Sequence, residues 1–446
     1  MNEAIKVSMV SLGCARNLVD SEVLLGHAVA EGLQVTREPR DADVVVVNTC
    51  GFIEAAKQES IDTILSLCKL KEEGSLKGVV AVGCLVQRYA EELQKELPEV
   101  DALFQISDYS GVPKAIRRIV NGSEARFVPA VDGGRPKDAR TDVRRHLTTP
   151  KSYAYLRISE GCDHTCTFCA IPSMRGRNRS KPREVLVEEA RNLAAAGVQE
   201  LVIVAEDSTA WGLDLYRHHA LHELVAALAE VEGIRWIRLL YAYPHTVRKE
   251  LTSVMRDNPK VVPYLDIPIQ HISGRMLKAM KRGVHSQQVK DILWRLRDEV
   301  PGIAVRSTYI VGFPGETEQD FAELLEWTRE YRFERLGVFR YSAEEGTPAA
   351  ELPDPVDPDL AETRRATIMA VQKDILDARN AALVGTRMQV LIDGFGPAGD
   401  AIGRTHADAP EIDCVVKVVS GEAQAGAFVT AEITGVDGYD LVGRAV

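Results

Sequence analysis

Over residues 5–122, short unbroken apolar runs alternate with stretches of mixed polarity. The runs are IKVSMVSL, ADVVVVN, GVVAVG and VDALFQ. Valine-rich runs without two-residue alternation mark strands buried on both faces, as in a parallel sheet with helices above and below it. The stretches between them predict helices near 20–31, 53–72, 86–96 and 111–121. Strands alternating with helices give an α/β fold class, here a doubly wound parallel sheet over residues 1–122.

The pattern stops at 123–147, where Gly, Pro, Arg and Asp follow one another without a period, which predicts a linker. It resumes over 148–378. Strands are predicted at 153–158, 200–205, 235–241, 264–267, 304–311 and 335–340. After the first of them Pro182 suits the opening position of a helix, Leu186, Ala190, Leu193 and Ala194 share one face, and Gly197 suits its end. Six βα units fall short of the eight of a closed TIM barrel, so a partial (β/α)6 barrel with an open side is expected. The Pro-rich ELPDPVDPDLAETRR leads into a helix ending near 380. Residues 379–446 change character again: RMQVLIDGF, AIGRTH, DCVVKVV and FVTAEITGV are short β-like runs between Gly-rich turns, which predicts a small all-β barrel.

Composition limits what such a chain does. Of 446 residues, 45% are hydrophobic and 27% charged, as in ordinary globular proteins. No apolar run approaches the length of a membrane span, and MNEAIKVSMVSLGCARN has neither the basic nor the apolar region of an export signal. A cytoplasmic location is expected. The formal net charge of -11 argues against broad binding along a phosphate backbone.

A reducing compartment makes the eight cysteines metal ligands, catalytic groups or core residues in preference to disulfides. They sort into two triplets. Cys162, Cys166 and Cys169 follow the strand at 153–158 with C-x3-C-x2-C spacing. Three thiolates on one short loop can hold three irons of a cubane cluster, leaving the fourth iron open to a cofactor or substrate, since an open position marks a catalytic metal site. The alternative is a zinc site completed by a distant residue such as His164 or Cys414. Cys14, Cys50 and Cys84 are scattered, but each ends the same kind of segment: VSMVSLGC, VVVVNTC and VVAVGC. In open α/β sheets ligands bind outside the carboxyl ends of the strands, so neighbouring strands would bring these thiols to one centre. The alternative is three small core residues. Cys68, on a helical apolar stripe with Ile61, Ile64 and Leu65, and Cys414, in a strand-like run, are read as core.

With both triplets in view, the sequence resembles the radical S-adenosylmethionine (SAM) methylthiotransferases over essentially its whole length. NTCGFIEAAKQESIDTI, EGCDHTCTFCAIPSMRGRNRSK and YLDIPIQHISGRMLKAMKR are most similar to the RimO branch, which methylthiolates the β-carbon of an aspartate in small-subunit ribosomal protein S-twelve. The sister MiaB branch, which modifies tRNA adenosine, is the alternative; a non-catalytic metal- or RNA-binding protein is a third reading. SLGCARNLVDSE carries Ala15-Arg16 where many relatives have Pro-Lys.

The resemblance implies two [4Fe–4S] clusters and SAM as cofactors, with a TRAM-like barrel at the end. Cys162, Cys166 and Cys169 would bind the radical SAM cluster, and Cys14, Cys50 and Cys84 an auxiliary one. Reductive cleavage of SAM would give a radical able to abstract hydrogen from an unactivated carbon, and a second SAM would methylate a sulfur held at the auxiliary site. Gly312 and Gly315, in STYIVGFPGETEQD, would let the backbone approach SAM, unless that βα turn needs glycine for its own sake. Glu206 and Asp207 would meet the SAM amino group or ribose, unless they only cap a helix. The basic MRGRNRSKPR would meet a substrate carboxylate, unless it is a solvated loop paired with acids. No catalytic residue beyond the clusters is implied. The partners implied are ribosomal protein S-twelve, in the ribosome or free, and an electron donor, with no membrane and no tRNA substrate.

Overall fold

The computed structural model describes residues 4–122 and 143–446. They form two compact units. One holds the chain up to Thr148 together with 160–164 and 169–181; the other holds 149–159, 165–168 and 182–446.

The first unit is a five-stranded parallel sheet. Its strands are β1 (Lys6–Ser11), β2 (Gln34–Val35), β3 (Val44–Thr49), β4 (Gly78–Gly83) and β5 (Ala102–Phe104), in the order β2-β1-β3-β4-β5. β3 and β4 are buried at every position because alternate residues serve opposite faces. Val44, Val46, Val80 and Val82 pack with Leu24, Leu25 and Ile116; Val45, Val47, Val79 and Ala81 pack with Ile64, Leu67 and Leu93. The helices supplying those residues are α1 (Ala15–Ala30), α2 (Glu54–Glu72), α3 (Cys84–Glu96) and α4 (Val112–Val120). Cys68 is buried in α2, as expected of a core residue. The two-residue β2 was not expected, and α1 starts directly after Cys14, a turn earlier than the pattern suggested. Its first turns turn polar residues inward: Asn17, Asp20, Ser21 and Glu22 are all buried.

Of the expected linker, 123–142 lies outside the described residues. Residues 143–148 are held on α1: Arg145 pairs with the buried Glu22, Thr148 N donates to Glu22 Oε1 at 2.8 Å, and His146 N donates to Glu22 O at 2.9 Å. A short helix, α5 (Ile171–Arg175), also belongs to this unit.

The second unit carries the six expected strands, all parallel and in sequence order: β6 (Tyr153–Arg157), β7 (Glu200–Val204), β8 (Trp236–Leu239), β9 (Val261–Asp266), β10 (Ala304–Val311) and β11 (Arg335–Arg340). The sheet does not close. Helices α6 (Arg183–Ala195), α7 (Leu221–Ala229), α8 (Lys249–Asp257), α9 (Ser286–Glu299), α10 (Glu318–Tyr331) and α11 (Pro358–Leu383) follow the strands in turn. Pro182 stands one position before α6, at its cap. Thr317 caps α10 in a reciprocal box with Asp320.

The tail is a closed barrel of β12 (Arg387–Phe395), β13 (Ala401–Arg404), β14 (Val416–Val418), β15 (Phe428–Asp437) and β16 (Asp440–Ala445), ordered β12-β13-β14-β16-β15. β16 was not expected from the pattern. Cys414 lies just before β14, half-buried, so it is neither in a strand nor in the barrel core. Buried charges key the barrel to the sheet. Glu200, which opens β7, accepts from Arg238 at 2.6 Å and from Arg404 of the barrel at 2.7 Å; Arg404 also pairs with Asp393 at 2.6 Å. Asp408 pairs with Arg335, Asp413 accepts from Tyr264 at 2.6 Å, and Phe428 packs edge-on against Trp236 at 4.8 Å between ring centres. Among the described residues no helix is long and apolar enough to cross a membrane.

Candidate functional site

β1, β3 and β4 are neighbours, so Cys14, Cys50 and Cys84 leave the sheet side by side. Cys14 is the cap of α1, Cys50 follows β3 immediately, and Cys84 opens α3. Gly13 has a φ of +89°, and a Cβ on it would meet Cys50 Cβ at 2.9 Å and Sγ at 3.0 Å. The loops carrying Cys14 and Cys50 therefore pack as closely as a missing side chain permits. Two buried polar residues fix them. Ser60 accepts from Cys50 N at 3.0 Å, and Asn17 donates to Leu12 O and Thr49 O at 3.0 Å each.

Guanidinium groups reach two of the three sulfurs. Arg16 Nε donates to Cys14 Sγ at 3.3 Å, and Arg175 Nη2 to Cys84 Sγ at 3.3 Å. Burial opposes ionisation of Cys14, but the charge and hydrogen bond of Arg16, with the Asn17 backbone, hold its thiol below the usual range. Burial pushes Cys50 up to about 11, with the Cys84 and Cys14 charges adding to it. Burial also raises Cys84, against the pull of Arg175. A donor set of three thiols, one predisposed to the thiolate, suits iron–sulfur ligation. Among the described residues no three His, Cys, Asp or Glu side chains converge as the ligands of one metal ion would; a cubane instead spreads its thiolates over separate irons. Cys68 lies away from this group, in the α2 core cluster.

Cys162 and Cys169 belong to the first unit and Cys166 to the second. Cys162 N donates to Gly176 O at 3.0 Å. Cys166 is buried beside Arg282, whose Nη1 donates to its Sγ at 3.3 Å, and Tyr243, whose hydroxyl lies 3.8 Å from the same sulfur. Arg282 lies over the Tyr243 ring, 4.2 Å from its centre, and accepts from its hydroxyl through the backbone carbonyl at 2.7 Å. Thr167 N donates to Met280 O and Thr167 Oγ1 to Ala279 O, while Phe168 packs with Met276, Met280 and Phe313.

The turn after β10 has its own reasons for glycine. Gly312 has a φ of +74°, and a Cβ there would lie 2.5 Å from Ala361 Cβ of α11. Its N–H donates to Glu316 Oε2 at 2.6 Å. Glu316 also meets Arg364 at 2.8 Å and the buried His271 at 3.2 Å. His271 Nδ1 accepts from the Ile272 and Ser273 backbones, which fixes the proton on Nε2, facing Glu316. Gly315 N donates to Asp354 O at 2.7 Å, and its carbonyl accepts from Arg275 at 2.6 Å. At the end of β7, Asp207 accepts from Thr209 N at 2.9 Å as the cap of a short turn, with half-buried Glu206 beside it. The basic stretch is not one solvated loop: Arg177 pairs with Asp163 in the open, but Arg175 is buried with Asp20 and Glu160.

Arg16, Asn17, Ser60, Arg175, Tyr243 and Arg282 were not singled out from the sequence. Arg16, Asn17, Ser60 and Arg282 lay in stretches quoted for the resemblance, without a role given to them, and Arg175 lay in the basic run after Cys169, whose signal pointed outward.

Comparison with known proteins divides the chain in three. Residues 6–105 match the uncharacterized protein family UPF0004, 156–328 the radical SAM superfamily and 384–446 the TRAM domain. The chain is similar to ribosomal protein uS12 methylthiotransferase RimO of Anaeromyxobacter sp. (strain K), 48% identical over 99% of this chain and 94% of that one. It is also similar to the proteins of that name from Myxococcus xanthus (strain DK1622), at 48% over 98% and 91%, and Aquifex aeolicus (strain VF5), at 44% over 98% and 97%. Among solved structures it is similar to the radical S-adenosylmethionine methyltransferase TsrM of Kitasatospora setae, with TM-score 0.58 at 15% identity over 78% of this chain and 77% of that one. The cobalamin-dependent S-adenosylmethionine radical enzyme OxsB gives 0.51 at 15% over 82% and 56%. At that identity the likeness is one of fold alone.

Proposed function

We infer the function from one premise: the chain belongs to the family of ribosomal protein uS12 methylthiotransferases RimO. It is a radical SAM methylthiotransferase that uses two [4Fe–4S] clusters and SAM, and its substrate is an aspartate β-carbon of ribosomal protein uS12. The observation that carries this is relatedness at 44–48% identity across nearly the whole chain. The cysteine geometry supports it.

In this reading residues 1–122 hold the auxiliary cluster through Cys14, Cys50 and Cys84. Residues 148–378 are the radical SAM core, with Cys162, Cys166 and Cys169 as ligands, and 379–446 are the TRAM barrel. When bound, the clusters and SAM supply the radical and the methylthio group; the protein supplies position and electrostatics. Ser60 and Asn17 hold the strand-end loops in register. Arg16 keeps Cys14 ready to ligate. Arg282 and Tyr243 orient Cys166 from one side, and the two Thr167 bonds stop its loop from turning. The His271–Glu316–Arg364 network braces the turn after β10, where Gly312 and Gly315 would meet SAM, and Glu206 and Asp207 at the end of β7 would meet its amino group or ribose.

The barrel is a docking surface for a basic protein. From Arg379 to the end there are five basic and nine acidic residues. Arg404, Asp408 and Asp413 are spent inside the contact with the sheet, and Arg379 lies in α11 paired with Glu334, leaving three against seven. The remaining surface is still acidic, which favours encounter with a basic ribosomal protein and disfavours phosphates. The enzyme works in the cytoplasm with an external electron donor.

The test is anaerobic reconstitution with iron and sulfide, reduction in the presence of SAM, and mass spectrometry of uS12 and of tRNA from the same reaction. A methylthio group on a uS12 aspartate is expected. One on tRNA adenosine instead would place the chain's activity with the MiaB branch.

A further inference from the structure

Arg175 is a buried cation of the first unit with four polar neighbours. Its side chain is 4% exposed. Nη2 donates to Asn17 Oδ1 at 2.6 Å and Cys84 Sγ at 3.3 Å and lies 2.8 Å from Asp20 Oδ2 as an ion pair, and Nη1 donates to Glu160 Oε1 at 3.1 Å. Four partners from three separate segments need a planar fork of donors, which lysine lacks. The helix that carries it, α5, begins two residues after Cys169. Ala170 and Met174 of that stretch pack over Cys84 and Ile106. The same short segment therefore leads out of one cysteine triplet and covers a cysteine of the other.

We propose that Arg175 is a positioning residue of the auxiliary centre: it presents a fixed cationic hydrogen bond to the Cys84 sulfur and sets the reduction potential of the cluster held there. This rests on the reading of Cys14, Cys50 and Cys84 as ligands. The physical basis is that hydrogen bonds to ligand sulfurs and nearby charge set cluster potentials. A donor aimed at a ligand sulfur favours the reduced cluster, which carries more negative charge. Asp20 and Glu160 leave the buried group at a net -1 with Arg175, so the guanidinium acts by direction and contact with Cys84, not by making the pocket positive.

The charge arithmetic supplies a clean test. In the paired variant Asp20→Asn/Arg175→Gln, Glu160 alone remains charged, so the group stays at -1 and no second carboxylate is stranded; what is lost is the N–H donor to Cys84. Both this pair and Arg175→Lys are made in full-length protein carrying Cys166→Ala, so that the auxiliary cluster is read by itself. Each is reconstituted with iron and sulfide, assayed for iron, and titrated potentiometrically by EPR. The paired variant should keep its iron, while the ratio of reduced to oxidised cluster at a fixed potential falls about tenfold, about 59 mV for a one-electron couple. Arg175→Lys should lie between it and the parent. A paired variant replete in iron with an unchanged titration would overturn the proposal. So would loss of iron from both variants, since Arg175 would then be a fold residue only. If the Cys166→Ala parent itself holds no iron, the ligand reading fails, and this role with it.

Discussion

Replacing Arg404 by alanine tests whether the barrel and the six-stranded sheet are one cooperative body. Arg404 is 1% exposed, and its Nη1 lies 2.7 Å from Glu200 Oε2, itself fully buried. Two unit charges at that separation attract by about 6 kcal/mol at an effective dielectric of about 20. Much of that is offset by the cost of burying them. What remains on truncation is a buried carboxylate that has lost one of two cations, because Arg238 still donates to Glu200 at 2.6 Å. Asp393 is partly exposed and can hydrate. Removing one partner of a buried pair costs about 3–5 kcal/mol, and the surviving Arg238 contact puts this case near about 3 kcal/mol. At a urea m-value of about 3 kcal/mol/M, the transition should fall by about 1 M. Intrinsic tryptophan fluorescence reports it, since one of the four tryptophans, Trp236, has Phe428 of the barrel edge-on against its ring. The double variant Arg404→Met/Glu200→Gln removes both charges and should recover about 1–2 kcal/mol relative to the sum of the single losses, as coupled neighbours do. An Arg404→Ala midpoint within about 0.3 M of the parent, or strict additivity in the double variant, would refute the idea that these charges lock the barrel down. The same lock makes the full chain, rather than an excised tail, the right material for binding assays.

Cys166→Ala should abolish SAM cleavage and leave about half the iron, whereas Cys50→Ala should retain cleavage and lose methylthio transfer; iron assay and quantification of 5'-deoxyadenosine separate the two, and full transfer by Cys50→Ala would refute the auxiliary site. Asp320 resists burial through bonds from Arg275, Ser273 and Thr317 that hold its carboxyl well below the usual range. Its contribution is thus present above the ordinary carboxylate pKa and is lost as pH falls through the depressed folded value; acid titration of Asp320→Asn should show a flatter low-pH limb than the parent, and equal limbs would count against it. Thr317→Ala removes the cap of α10 and should cost about 1 kcal/mol by urea unfolding, with no change in iron content.

The sheets were legible because burial on both faces leaves an unmistakable signature: β3 is VVVVNT, and its cysteine follows at once. Where the chain buries polar residues the same logic fails. The start of α1 was missed because Asn17, Asp20, Ser21 and Glu22 face inward, and a helix whose inner face is polar at one end has no apolar period there. Those residues are polar because they meet Arg175, Arg145, strand-end carbonyls and the Ser11 and Asn48 side chains, partners up to 158 positions away. The placement of Cys14, Cys50 and Cys84 at neighbouring strand ends could be read from position. The arginines that donate to cysteine sulfurs could not, since a guanidinium aimed at a sulfur and one aimed at water look alike in a sequence. β16 escaped because DLVGRA is short and interrupted by glycine, and only barrel closure between β14 and β15 makes it a strand.

The first unit draws on residues 160–164 and 169–181, well downstream of its sheet. On a ribosome this sets an order of assembly. The five strands and four helices are complete in sequence by Val120, but the pocket around Asp20 and Asn17 stays without its guanidinium until Arg175 has left the exit tunnel. At about 5–20 residues per second, the sheet waits seconds with two buried-to-be carboxylates, Asp20 and Glu22, still hydrated. Cys84 cannot be covered before the segment bearing Cys169 has been made. Cys84 therefore gains its cover of Ala170 and Met174 only once Cys162, Cys166 and Cys169 have been made, so the surroundings of one cysteine triplet are completed only after the other has been synthesised.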